Sequence, residues 1–86
     1  MNLNKQNLIN KIIYRSNYRG TKEMDIFLSS FVKSIIYTLS IKELEGLNDI
    51  INLSDEEISK IRIDDIKNTN YNIKIVELLI NFKKKY

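Results

Sequence analysis

Apolar residues recur along this chain at the spacing of helix turns. Leu8, Ile9, Ile12 and Ile13 form one stripe over residues 4–16. Met24, Phe27, Leu28, Phe31 and Ile35 keep an i, i+3, i+4, i+7, i+11 pattern within residues 21–39, the clearest in the chain. Leu44, Leu47, Ile50 and Ile51 give the buried face of a third helix. That helix opens at Ser40, which forms with Glu43 the S-x-x-E pattern of a capping box. A second such box, Ser54 to Glu57, opens a short fourth helix ending near Ile63, with acids where the helix dipole favours them. Residues 67–72 are polar and read as a loop. A last helix over residues 73–82 is apolar on much of its circumference and runs into Lys83, Lys84 and Lys85, cations suited to a helix C-terminus.

The polar gaps thus predict an all-α fold, a small bundle of about five helices. Ile61 to Ile63 and Tyr71 to Val76 have β propensity, but no Gly/Pro hairpin turn joins such runs. Gly46 inside the third helix costs about 1 kcal/mol relative to alanine, so its place there points to close helix packing. Gly20, between the first two helices, supplies backbone freedom for a turn or room for a close backbone approach.

Composition narrows what such a bundle can do. At 86 residues the chain is a single domain, 1–86, with a thin stability margin and no room for a deep cleft beside a complete core. Cysteine and histidine are both absent. Disulfides, thiolate nucleophiles, histidine bases and zinc sites of the usual kind are excluded with them. The net charge of +3 is mild. The abundance of Ile, Asn and Lys matches an AT-rich coding bias, so the lysine count says little about an anionic partner. No apolar stretch approaches the ~20 residues that span a bilayer, so no direct membrane insertion is expected. The first residues carry neither a signal-peptide core nor an Arg-rich presequence, so the chain is expected to stay where it is made or to be an already processed form.

The chemistry-bearing residues gather between Tyr14 and Asp25. Two of the three arginines, two tyrosines and a glycine lie there with Glu23 and Asp25. Arg19 and Glu23 are four apart and pair on one face if helix begins near Arg19. Arg19, Gly20 and Glu23 precede or flank the apolar stripe and are not needed for the core. The plain reading is a solvated helix start with an ion pair. The sharper one is an interface hot spot, where Arg and Tyr are enriched.

Residues 14–31, YRSNYRGTKEMDIFLSSF, resemble the signature of the succinate dehydrogenase flavinylation factors. The family pattern, R-S-x-x-R-G-x-x-E-x-D before an apolar helix ending in Phe, is met by Arg15, Ser16, Arg19, Gly20, Glu23, Asp25 and Phe31. The similarity continues more loosely from Ser40 to Ser59, about two-thirds of the chain in all. Asn17-Tyr18 stands where many relatives have Trp-His, and Ser59-Lys60-Ile61 where many have a Trp. Residues 64–86 carry little that matches.

The resemblance implies a non-catalytic assembly factor. Such factors bind the flavoprotein subunit of succinate dehydrogenase, with that of fumarate reductase as an alternative target, and promote covalent attachment of FAD. A histidine of that subunit becomes bonded to the flavin 8α-carbon. By carry-over, Arg19, Gly20 and Glu23 lie at the partner surface, with Arg15, Tyr18 and Asp25 beside them. FAD belongs to the partner; no G-x-G-x-x-G follows a strand, so this chain is not expected to bind it. The resemblance also implies a bacterial cytoplasmic protein, or a mitochondrial matrix one if the form is processed, and a monomer, with a dimer as the alternative.

Three other readings compete. A nucleic-acid-binding helical domain suits the pI of about 9.2, but the lysines are scattered among acids and 83–85 read as a solvated tail. A carboxylate enzyme using Glu23 and Asp25 is disfavoured because residues two apart on a helix face different ways. A generic interaction module, such as an antitoxin-like binder, would use the same surface for another partner.

Overall fold

The computed structural model describes residues 3–62 and 70–85. Five α-helices follow one another, with no strand among the described residues. They are α1 (Leu3–Asn17), α2 (Lys22–Ile35), α3 (Ile41–Ile51), α4 (Asp55–Lys60) and α5 (Ile73–Lys85). The all-α bundle read from periodicity is the architecture observed.

The second element is shorter than its pattern suggests. The α-helix stops at Ile35, and Ile36–Thr38 form a 3₁₀ turn. A 3₁₀ turn has three residues per turn, so residues i and i+3 share a face. Ile36 in this turn and Leu39, the extended residue just after it, both enter the core, at 0% and 2% exposure, while Tyr37 stays outside. The fourth helix ends at Lys60 rather than near Ile63, which lies outside the described residues, as do residues 67–69 of the expected loop.

Both capping boxes form. The Ser40 N–H donates to Glu43 Oε1 at 2.8 Å, and the Glu43 N–H donates to Ser40 Oγ at 3.3 Å. Ser54 and Glu57 make the same exchange at 3.3 and 3.1 Å. Glu43 also takes Lys74 Nζ on its other oxygen at 2.6 Å, tying the starts of α3 and α5. That lysine, then the Ser40 N–H, hold the Glu43 carboxyl below the ordinary carboxylate value of 4.5.

One apolar core joins the helices. Ile9 and Ile12 of α1, Leu28 and Phe31 of α2, Leu44 and Leu47 of α3, Ile58 of α4 and Leu79 of α5 are all buried in it. α1 lies against both α2 and α3. Phe82 of α5 sets its ring 5.6 Å from that of Phe27 and 5.5 Å from that of Phe31, closing α5 onto α2. Gly46 explains its own position. A Cβ there would stand 2.6 Å from Asn72 Cβ, so α5 starts directly on the glycine of α3. Asn72 caps that start, its Oδ1 accepting from the Ile75 N–H at 3.3 Å.

Candidate functional site

The segment singled out by its chemistry forms the turn between α1 and α2. Its local sequence builds it. Ser16, 1% exposed, donates its hydroxyl to the Ile13 carbonyl at 2.8 Å, and the Asn17 side-chain amide donates to the same oxygen at 3.0 Å. These bonds close the last turn of α1. Thr21 then caps α2, its Oγ1 accepting from the Met24 N–H at 3.2 Å. Helix therefore begins at Lys22, not near Arg19.

That offset overturns the expected Arg19–Glu23 pair. Arg19 lies before the cap, and its guanidinium turns inward to the α3–α4 junction. Nε donates to Asp55 Oδ1 at 2.8 Å, Nη1 to the Ile51 carbonyl at 2.7 Å and Nη2 to the Leu53 carbonyl at 2.6 Å. The side chain is only 10% exposed. The two carbonyls belong to the end of α3 and the linker after it, where helix backbone lacks partners and a cation is favoured. Arg19 is thus part of the scaffold, contrary to the expectation that the fold could do without it.

Gly20 sits over the same carboxylate. Its N–H donates to Asp55 Oδ2 at 3.2 Å, and a Cβ on it would lie 3.3 Å from that oxygen. Its φ is not positive, so close approach rather than unusual backbone freedom accounts for the glycine. Asp25, in the first turn of α2, accepts from the Arg19 backbone N–H. The turn is therefore held from both sides, by Asp25 of its own helix and Asp55 of α4.

The remaining residues of the segment face outward. Arg15, Gly20 and Glu23 are exposed, and Tyr18 is 71% exposed. The rings of Tyr14 and Tyr18 stand 4.6 Å apart at 40°, an aromatic pair in solvent beside Arg15. Glu23 forms one wall of a shallow groove with Thr21, Met24, Phe27, Ile58, Ser59 and Lys83. The six candidate residues are thus contiguous on one turn, but Arg19 and Asp25 are inward and Arg15, Tyr18, Gly20 and Glu23 outward.

Two further residues shape this region without any local signal in sequence. Asp55 read only as an acid at a helix start; its partner lies 36 positions away. Lys83 read as part of a solvated tail. Instead its Nζ donates to the carbonyls of Ile58 at 2.8 Å and Ile61 at 3.0 Å, capping the end of α4.

A protein family described as flavinator of succinate dehydrogenase matches residues 10–83. The chain belongs to this family. The flavinator match reaches through α5, well past Ser59 where the sequence resemblance stops, and takes in Asp55 and Lys83. Among curated relatives, the chain is 38% identical over 48 residues to "Succinate dehydrogenase assembly factor 2, mitochondrial" of Komagataella phaffii, covering 56% of this chain and 25% of that protein. It is 33% identical over 49 residues to "FAD assembly factor SdhE" of Acetobacter pasteurianus, covering 57% of this chain and 45% of that one. The matched stretch thus spans less than half the length of either relative. No solved structure matches the chain at a significant level. Among the described residues, no helix is long and apolar enough to cross a membrane.

Proposed function

We propose that this chain is an assembly factor that binds the flavoprotein subunit of succinate dehydrogenase and promotes covalent attachment of FAD to it. The outward residues Arg15, Tyr18, Gly20 and Glu23 make the contact, and Arg19 and Asp25 hold them in place. The carrying observation is the family match over residues 10–83, which encloses a turn whose inward residues are bonded internally while its aromatic and charged neighbours stay in solvent. Aromatic rings and an arginine at an exposed, rigidly held turn are the residue types that dominate binding energy at interfaces.

The factor does no bond-making of its own. The histidine that becomes bonded to the flavin, as the family resemblance implies, belongs to the partner, as does FAD; this chain has no histidine. Binding the competent conformer of the subunit more tightly than others raises its population, and the attachment reaction then proceeds within the subunit. The factor acts as a monomer in the compartment where the subunit acquires its flavin: a bacterial cytoplasm, or a mitochondrial matrix.

Co-expression with a flavoprotein subunit from a matched source tests this. Covalent flavin, read as fluorescence of the denatured subunit in a gel, is expected to rise when the chain is present. Unchanged fluorescence would refute the reading. Loss of the effect in Glu23→Ala and Tyr18→Ala, with their folds intact, assigns the surface.

A further inference from the structure

We infer that Asp55 is the positioning residue of the docking turn, acting through Arg19 and Gly20, and that Arg19 itself makes no contact with the partner. The inference rests on the docking reading above. It assigns a role to a residue of α4 that lies outside the motif.

All three guanidinium nitrogens of Arg19 have internal acceptors at 2.6 to 2.8 Å. The side chain is only 10% exposed and three of its five N–H donors are engaged, so drawing the guanidinium out to a partner carboxylate would strand Asp55 and the Ile51 and Leu53 carbonyls, which are costly to leave unpaired. The Asp55 carboxylate is divided between two tasks. Oδ1 fixes the Arg19 side chain and Oδ2 fixes the Gly20 backbone, at 2.8 and 3.2 Å. One planar group thus sets both the depth of the arginine and the height of the glycine above α4. Thr21 and Glu23 follow Gly20 directly into α2, so the same carboxylate sets where Glu23 is presented. Arg19 needs its fork for this: a lysine ammonium cannot serve the carboxylate and two carbonyls in one plane.

The test compares Asp55→Asn, Arg19→Lys and Tyr18→Ala in the full chain. It reads amide hydrogen exchange by NMR and affinity for the purified flavoprotein subunit. Asparagine offers one acceptor oxygen where aspartate offers two, so either Arg19 or Gly20 loses its bond. Asp55→Asn and Arg19→Lys are each expected to speed exchange at Gly20 and weaken the Kd by about tenfold, with the core amide of Leu79 still protected. The double variant weakens binding little further, because both changes break one latch. Tyr18→Ala weakens binding but leaves Gly20 exchange unchanged.

Unchanged affinity in Asp55→Asn overturns the inference, whether or not exchange at Gly20 rises. So does a loss of binding confined to Arg19→Lys, which would make that arginine a contact residue. Wild-type chain that fails to bind the subunit sinks the docking reading itself, and a flat Gly20 exchange in Asp55→Asn would then dispose of the latch as well. Should Asp55→Asn prove unfolded by circular dichroism, Asp55→Glu, which keeps both oxygens on a longer arm, takes its place.

Discussion

Replacing Gly46 by alanine sets two effects of known size against each other. Alanine is the better helix former by about 1 kcal/mol, so an exposed glycine in mid-helix would be improved by the change. At this position the new methyl would meet Asn72 Cβ at 2.6 Å, Cγ at 3.2 Å and Nδ2 at 3.3 Å. Carbon atoms rest at roughly 3.5–4.0 Å, so the nearest pair must separate by about 1 Å. The obstructing atom is a Cβ, which moves only with its backbone, so the start of α5 has to lift off α3. Overpacking of this kind costs about 1–3 kcal/mol. Displacing Asn72 also weakens its cap on Ile75, worth about 0.5–2 kcal/mol. The clash and the cap outweigh the propensity gain, and Gly46→Ala should destabilise by about 1–3 kcal/mol. For a domain of this size that lowers Tm by roughly 5–20 °C. Thermal and denaturant unfolding followed by circular dichroism at 222 nm would measure it. The companion variant Asn72→Gly removes the obstructing Cβ at a cost of a few tenths of a kcal/mol as a cap. Combined with Gly46→Ala it should recover part of the loss, a coupling that separate additive effects would not give. A Gly46→Ala protein as stable as the parent, or more so, would refute the close approach.

Other expectations are more local. Lys83→Met removes the cation that caps α4 at the Ile58 and Ile61 carbonyls, and should cost about 1 kcal/mol and raise amide exchange in α4 before α2 or α3. Glu43 has a folded pKa below its ordinary value, so its contribution to stability is present above that value and fades as pH falls through the folded one. Glu43→Gln should therefore lose stability at neutral pH and show a flatter acid limb below about pH 4.5 in unfolding titrations. Tyr18→Ala, at a side chain 71% exposed, should leave stability within about 0.5 kcal/mol while reducing partner binding in a pull-down or titration. A Tyr18→Ala protein with a sharply lowered Tm would instead make the tyrosine structural.

The fold was legible in the sequence because the first three helices are amphipathic enough to declare their inner faces. Leu28, Phe31, Leu44, Leu47, Ile50 and Ile51 were expected inside and are buried. Both capping boxes were visible because their two members sit three residues apart. The switch to a 3₁₀ turn at Ile36 was not visible, since α and 3₁₀ spacing differ little over a single turn. The candidate segment was found from its composition, but not its division of labour. Arg19 looked like the exposed member of an i, i+4 pair, and only the long-range contact with Asp55 turns it inward. Asp55 and Lys83 carried no signal because hydrogen bonds between distant segments leave no periodicity along the chain.

The Arg19–Asp55 contact also fixes an order of events in the making of the protein. Its two residues are 36 positions apart, and Asp55 is the later to be synthesised. α1 and α2 are neighbours in sequence, so their contacts are local and need nothing made after them. The turn between them stays unfinished until Asp55 has emerged and α4 has been brought back across the junction. The geometry of this turn is therefore completed late, when the bundle closes.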